Sequence, residues 1–297
     1  MIKRYLPAVF FPILVLLLLT LLACVLGYGV VLITGDQSAL RKLIIRFSQA
    51  LLVLSIFPVM HFFKLTKADL GYAPRNIFLK QLWLGFGLGL ITLIPVFIIL
   101  FTLGVNVLDE TKQWTVFLTG KRMLLSLLLA LLIGFVEESV FRGMLLSILR
   151  TKLSALAAIL ISSVYFAGLH FLDNKTPIAP QEFNFLSGFN LLALAYSNIF
   201  SVNNLPAFSA LFMVGIFLAI VRTQVKESLG LCIGCHAGWV WQMKMSHYIF
   251  NTNHSSEYLY LVSTFDYVIG PMVASWLLLA VLAYFVYQHI GSRIKAG

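Results

Sequence analysis

The sequence predicts an all-α protein, a polytopic membrane bundle of about eight transmembrane helices. Hydrophobic residues make up 60% of the 297 residues and charged residues only 11%, whereas about 25% of the residues in a soluble domain are charged. The mean hydropathy is +0.95. Apolar runs long enough to cross about 30 Å of hydrocarbon recur along the chain. These runs lie at 6–33, 43–63, 78–104, 123–149, 153–172, 206–221, 228–243 and 259–288.

The first run follows Lys3 and Arg4 and has no small-residue cleavage site behind it, so we predict a retained span rather than a removed signal peptide. A further stretch at 185–201 is shorter and rich in asparagine. It fits either a ninth span or a re-entrant or interfacial helix. The sequence leaves both open.

Lysine and arginine residues next to the runs predict the orientation. With eight spans, 12 of them flank the runs on the side of both termini and 8 flank them on the opposite side. Cytoplasmic loops carry the excess of cations, so we predict that both termini are cytoplasmic. A compact chain without targeting extensions suggests a bacterial inner membrane. The formal charge of +10 is explained by these flanking cations, and we predict a lipid bilayer rather than nucleic acid as the surrounding partner.

The stretch GFVEESVFRGMLL at 134–146 places three charges inside an apolar run. Each charge at membrane depth costs at least about 2.5–3.5 kcal/mol, so such residues indicate a site. Glu138 and Arg142 are four residues apart, the spacing of an ion pair on one helix face. Glu137 lies about 100° around the helix from Glu138. We therefore expect Arg142 to pair with Glu138 and leave Glu137 for chemistry.

Two histidines lie within apolar runs and are flanked by small residues that allow close helix contact. His170 ends the fifth run, and His236 lies inside the seventh. We predict that both meet Glu137 in the bundle. Each histidine could instead join two helices by a hydrogen bond, the Glu138–Arg142 pair could be structural, and Phe166 and Trp239 could be core residues.

Three motifs together resemble a known family. EESVFRG matches EExxxR, the residues from Phe166 to His170 match FxxxH, and His236 begins an HxxxN-type motif. The chain thereby resembles the CAAX protease and bacteriocin-processing family of intramembrane endopeptidases, also called the Abi family. The resemblance covers 120–245. Helices in 1–119 carry no motif, and 246–297 holds a loop and the last span. Val240 departs from the family by occupying the Asn position.

This resemblance implies hydrolysis of a peptide bond in a membrane-associated peptide or protein substrate, as by a type II CAAX prenyl endopeptidase. It implies that Glu137 activates water, that His170 and His236 are its catalytic partners, and that Glu138 and Arg142 support them.

Two mechanisms suit these residue types. Glu137, His170 and His236 could hold a catalytic zinc with one open position, or Glu137 could act as a general base while the histidines stabilise the oxyanion. We favour the second, because Arg142 occupies the only other nearby acid. Val240 lacks the hydrogen-bond donor that Asn would offer to the oxyanion. Trp239 or Lys244, at i+3 and i+8 from His236, could supply that donor instead. Phe166 is a further candidate substrate contact.

Other functions remain open. CIGCH at 232–236 matches the haem-attachment pattern C-x-x-C-H, but it lies inside a span. Cys232 and Cys235 could serve a thiol oxidoreductase, although Cys24 offers no second pair. The zinc-protease signature HExxH is absent. The main alternative is a non-catalytic protein of the same fold that acts in binding, immunity or assembly, and Val240 is the residue that favours it.

Overall fold

The computed structural model describes residues 6–112, 115–173, 176, 178 and 180–296. Helices account for 77% of the structure, and the described strands form one two-stranded sheet. Six helical stretches in the described part are long and apolar enough to cross a membrane. The predicted helical membrane bundle is therefore confirmed. Its count of eight spans is approximate, because α7, with 15 residues, and α10 fall outside these six.

Eleven α-helices follow one another through the described ranges. They are α1 (Leu6–Thr34), α2 (Leu40–Leu54), α3 (Ile56–Phe63), α4 (Arg75–Thr102), α5 (Val116–Glu138), α6 (Leu146–Arg150), α7 (Ala155–Leu169), α8 (Ser187–Asn198), α9 (Leu205–Gln224), α10 (Leu229–Ile249) and α11 (Pro271–Ala296). Strand β1 (Asn106–Leu108) pairs antiparallel with β2 (Phe250–Thr252).

Two helical spans are less regular than the sequence predicts. The second is divided at Ser55 into α2 and α3, and the Ser55 hydroxyl donates to the Leu52 carbonyl at 2.6 Å. The fourth runs from α5 to α6 through a π-helical segment, Ser139–Leu145. This π segment begins directly after the two glutamates, so the irregular backbone lies at the candidate site.

The predicted start of the last span at 259 is wrong, because α11 begins only at Pro271. The Asp266 carboxylate accepts hydrogen bonds from the backbone N–H groups of Val268 and Ile269, at 3.0 and 2.7 Å. These bonds fold 263–270 into a compact loop. Pro271 is the first residue of the helix that follows, and proline is favoured at the first position of a helix.

The asparagine-rich stretch forms α8, which has 12 residues. A helix of that length extends about 18 Å, too short to cross about 30 Å of hydrocarbon. It packs against α1 and α2, and the Asn198 amide donates to the carbonyls of Phe171 and Asp173, each at 3.1 Å. The stretch is therefore a short packed helix and not a ninth span.

Loop contacts define two opposite ends of the bundle. At one end, which we call the Asp69 face, the Asp69 carbonyl accepts hydrogen bonds from Ser147 and Arg222. At the other end, the hairpin face, β1 pairs with β2 and Phe171 contacts Phe265. The loop 263–270 lies at the hairpin face.

Helices α4 and α10 approach closely through glycines. A Cβ on Gly234 would lie 2.0 Å from the Leu82 carbonyl oxygen, and one on Gly89 would lie 2.4 Å from the Cys235 carbonyl oxygen. Small residues allow this backbone contact between membrane helices. It fixes the position of α10, which carries His236.

Candidate active site

The charged cluster starts where α5 meets the π segment. Glu138 is the last residue of α5 and Arg142 lies in the π segment. Both side chains are buried, with 0% and 2% exposed, and Arg142 Nη1 donates to Glu138 Oε1 at 3.0 Å. The pair expected from the i, i+4 spacing is present in the structure. A buried arginine stabilises the ionised carboxylate beside it.

Arg142 is held from two further directions. Its guanidinium lies over the Phe166 ring, 4.2 Å from the ring centre, and Nη2 donates to the Gly215 carbonyl at 3.4 Å. A cation over an aromatic face is attracted by the ring quadrupole. Phe166 therefore contacts the supporting cation as well as the cavity.

His236 extends the pair to α10. Its Nδ1 donates to Glu138 Oε1 at 2.7 Å, so one carboxylate oxygen binds both Arg142 and His236. The other oxygen, Oε2, is buried and accepts no hydrogen bond from the described residues. Because Nδ1 faces Glu138, the Nε2 atom of His236 points away from the pair.

Glu137 lies between the two histidines. His170 Nδ1 donates to the Phe166 carbonyl at 2.7 Å, and a carbonyl can only accept, so His170 also directs Nε2 outward. Glu137 Oε2 lies 3.7 Å from His170 Nε2 and 3.9 Å from His236 Nε2. This oxygen is buried and accepts no hydrogen bond from the described residues. The three side chains expected to converge do so, from α5, α10 and the end of α7.

These atoms line a cavity of about 280 Å³. Most of its lining side chains are apolar. The ionisable ones are Glu137, His170, His236, Lys244, His247 and Asp266. The lining residues of α10 run from His236 toward the C-terminal end of the helix, and the loop 263–270 contributes Phe265 and Asp266. The cavity therefore extends from the glutamates toward the hairpin face.

The comparison with known families bears on what this site does. Residues 119–242 match the family model described as Rce1-like: Type II CAAX prenyl endopeptidase Rce1-like. Over these residues the chain is similar to this family. The match confirms the resemblance read from the three motifs and supports an intramembrane protease. No curated protein and no solved structure matches the chain. The division of the chain at 119 and 245 stays a prediction.

The matched segment presents an apolar side chain where the motif has Asn, because Val240 lines the cavity. Of its two suggested replacements, Trp239 donates its indole N–H to the Thr92 hydroxyl at 2.8 Å. That donor is already used, so the structure does not offer it to an oxyanion. Lys244 also lines the cavity, and it has no hydrogen-bond or ionic partner among the described residues.

The loop 263–270 is the part of the cavity that the sequence did not predict. His247 Nε2 donates to the Asp266 carbonyl at 2.8 Å. Burial raises the pKa of the Asp266 carboxyl above its usual range, against the opposing effect of the hydrogen bonds from Val268 and Ile269. The sequence does carry a signal for this loop. Asp266 lies inside the apolar run 259–288, and Gly270 and Pro271 follow it.

The zinc alternative can be tested against the geometry. Glu137, His170 and His236 have the donor types that zinc prefers. With bonds of about 2.0–2.1 Å, tetrahedral zinc ligands lie about 3.3–3.4 Å apart, closer than the 3.7 and 3.9 Å found here. In the described ranges, no group of three or more His, Cys, Asp or Glu side chains could hold a metal ion. The side chains as placed do not fit a metal site.

Proposed function

We propose that the protein is an intramembrane endopeptidase in which Glu137 activates water for attack on a peptide bond of a membrane-associated peptide or protein. The observation that carries the proposal is the position of Glu137 Oε2, buried in the cavity wall with an imidazole Nε2 on each side. A water hydrogen-bonded to this oxygen would also be within reach of both rings.

The two glutamates are not equally well placed to act as the general base. Glu138 Oε1 already binds Arg142 and His236, and it is away from the cavity lining. Glu137 lines the cavity and has an oxygen without a hydrogen-bond donor among the described residues. A general base must lie within hydrogen-bond reach of the proton that it removes. Of the two, Glu137 is therefore the one placed to act on a water in the cavity, and Glu138 positions His236.

The reaction then balances with these side chains alone. Glu137 takes a proton from water as the water oxygen bonds to the substrate carbonyl carbon. For His170 or His236 to donate its Nε2–H to the oxyanion that develops, the ring must carry both protons, because each Nδ1–H already donates to Phe166 or Glu138. The C–N bond breaks, and the proton held by Glu137 passes to the leaving amine. The products are a carboxylic acid and an amine, and Glu137 returns to its starting state.

The test uses substrates found in cells. Polypeptides whose termini change when the protein is deleted are identified by mass spectrometry, and the deletion strain is then complemented with wild type, Glu137→Gln or Lys121→Gln. Lys121 is exposed on α5 and is the matched control. We expect wild type and Lys121→Gln to restore the termini and Glu137→Gln to fail. Restoration by Glu137→Gln would refute the proposed base.

Removal of metals tests the mechanism separately. We expect the purified enzyme, after chelation and verification that no metal remains, to keep its full rate. A rate that falls on chelation and returns with zinc would instead support zinc held by Glu137, His170 and His236, as a Lewis acid that polarises the carbonyl.

We further propose eight crossings in a bacterial inner membrane, with both termini cytoplasmic. Assigned by position in the sequence, 12 lysines and arginines belong to the Asp69 face and termini, and 8 to the hairpin face. The positive-inside rule makes the Asp69 face cytoplasmic. The cavity then extends toward the opposite side. A membrane-impermeant maleimide on intact cells should label Glu257→Cys and spare Lys226→Cys, and the reverse pattern would invert the orientation.

Val240 supports one alternative, a non-catalytic protein that binds a peptide in the same cavity. It places a side chain without hydrogen-bonding groups on the cavity wall. The alternative predicts that Glu137→Ala and His236→Ala complement a deletion as well as wild type does. The proposed protease predicts that both fail.

A further inference from the structure

His170 stands at the end of α7 and not inside a helix. It is the residue that follows the last helical position, and the backbone N–H groups of 170–172 donate to carbonyls three residues back, at 3.1–3.3 Å. Such bonds have poorer geometry than those of an α-helix. Because His170 Nδ1 donates to the Phe166 carbonyl of α7, the ring moves with the segment 169–173, which we call the His170 turn.

Arg41 on α2 holds the far end of the His170 turn. Its Nε donates to Asp173 Oδ1 at 2.9 Å, and its Nη2 donates to Asp173 Oδ2 at 2.6 Å. Two parallel bonds between a guanidinium and a carboxylate fix orientation as well as distance. Arg41 lies 132 residues before Asp173 and outside the residues 119–242 that match the family model. The turn is therefore tied to a helix that carries none of the three motifs.

A cavity leaves the His170 turn loosely packed on the side of α2. Its volume is about 170 Å³, and it lies between the turn and helices α1, α2 and α8, with Leu172 in its lining. Side chains beside a gap lose van der Waals contacts on that side. Hydrogen bonds hold the turn here instead. They come from Arg41 and from the Asn198 amide, which donates to the carbonyls of Phe171 and Asp173.

We propose that Arg41 is a positioning residue, which holds the His170 turn through Asp173 and so keeps His170 Nε2 beside Glu137. This inference rests on the proposed function of the site. Neither Arg41 nor Asp173 is among the described residues that line the cavity at Glu137, so their pair should affect kcat and not KM. The two side chains are 33% and 35% exposed, and exposed pairs contribute little to the free energy of unfolding. Loss of the pair should therefore change the rate more than the stability.

The kinetic experiment uses the purified full-length protein and a synthetic peptide that spans a cleavage site found from the changed termini. We expect Arg41→Gln to lower kcat about tenfold with KM unchanged, less than the roughly 10²-fold that a misplacement of about 1 Å can cost. Arg41→Lys keeps a cation within reach of Asp173 and should retain most of the rate. Arg46→Gln is the matched control, because Arg46 is an exposed arginine of the same helix, and it should behave as wild type.

The imidazole signals give a second readout that does not depend on activity. The protein is labelled with carbon-13 at histidine Cε1, and the His170 signal is assigned by its absence from His170→Gln. We expect Arg41→Gln to shift or broaden the His170 signal. The signal of His236, which Glu138 holds on α10, should stay in place, and Arg46→Gln should leave both signals unchanged.

The two readouts separate this inference from the proposed function. Either a wild-type kcat or an unchanged His170 signal in Arg41→Gln would overturn the positioning role, and so would an equal loss of rate in Arg46→Gln or an Arg41→Lys protein as slow as Arg41→Gln. None of these results touches the protease itself. A wild type that cleaves no peptide, or equal cleavage by Glu137→Gln, would refute the proposed function, and the His170 signal would still decide whether Arg41 holds the ring.

Discussion

The two sides of the α5 C-terminus hold adjacent carboxylates in opposite surroundings. On the inner side, Glu138 is fully buried and binds Arg142 and His236. On the cavity side, Glu137 is 29% exposed, and neither imidazole Nε2 is closer than 3.7 Å. The difference shows how two consecutive residues, about 100° apart on one helix, can place one carboxylate in a buried ion pair and the other at a cavity. The inner side should govern stability, and the cavity side should govern rate.

The largest expected effect tests the cavity side. Glu137→Gln removes the proposed base and should lower kcat by about 10²–10⁴. The thermal unfolding temperature should stay close to that of wild type, because Glu137 Oε2 accepts no hydrogen bond from the described residues and its nearest imidazole nitrogens lie 3.7 and 3.9 Å away. Activity and unfolding are measured on the same purified sample. Loss of stability comparable to that of an inner-side variant would erase the distinction between the two sides.

The next effect tests the inner side. Arg142→Ala leaves the Glu138 carboxylate buried without its cation, and breaking a buried pair in this way costs about 3–5 kcal/mol. We expect a large fall in the unfolding temperature. The double variant Glu138→Gln, Arg142→Met removes both charges and should recover part of the loss. A double variant as unstable as the single one would mean that packing, and not the pair, is responsible.

A smaller effect is expected from the glycine contact between α4 and α10, which positions His236 on the inner side. Gly234→Ala places a Cβ 2.0 Å from the Leu82 carbonyl oxygen, so α10 must shift and move His236, two residues further on. Such overpacking costs about 1–3 kcal/mol, and kcat should fall as well. Gly87→Ala is the matched control, because its Cβ would meet no atom within 4 Å. Equal behaviour of the two variants would contradict the close contact.

The smallest effect tests the cavity wall. Val240→Asn adds an amide donor beside His236 and should raise kcat by about tenfold, less than the 10²–10³ by which removal of a preformed donor lowers it. Stability should change little because the side chain lines a cavity. Unchanged or reduced kcat would show that another donor already serves the oxyanion.

Much of this arrangement follows from the sequence because it depends on local spacing. The i, i+4 pair and most of the long apolar runs are properties of local sequence, and the structure contains them. Contacts between distant parts were harder to foresee. The indole of Trp239 donates to Thr92 on α4, and this follows from the glycines that bring α4 and α10 together rather than from the surroundings of Trp239 in the chain.

The composition of the sequence did not predict two further features, the loop before α11 and the π segment. The run 259–288 is apolar throughout most of its length, so hydropathy alone could not separate the loop from α11. Only the hydrogen bonds of Asp266 reveal that separation. The composition of the π segment does not distinguish it either, because its seven residues would suit an ordinary α-helix. Segments of this kind are frequent at functional sites.

The glycine contact between α4 and α10 also has a consequence for motion. With backbone against backbone, the two helices can neither slide nor rotate past each other without collision, so we expect their central amides to exchange with solvent most slowly. The loop 263–270, held by a few hydrogen bonds at the hairpin face, should open at lower free energy. We therefore expect His236 to stay fixed while the loop beside the cavity opens and closes.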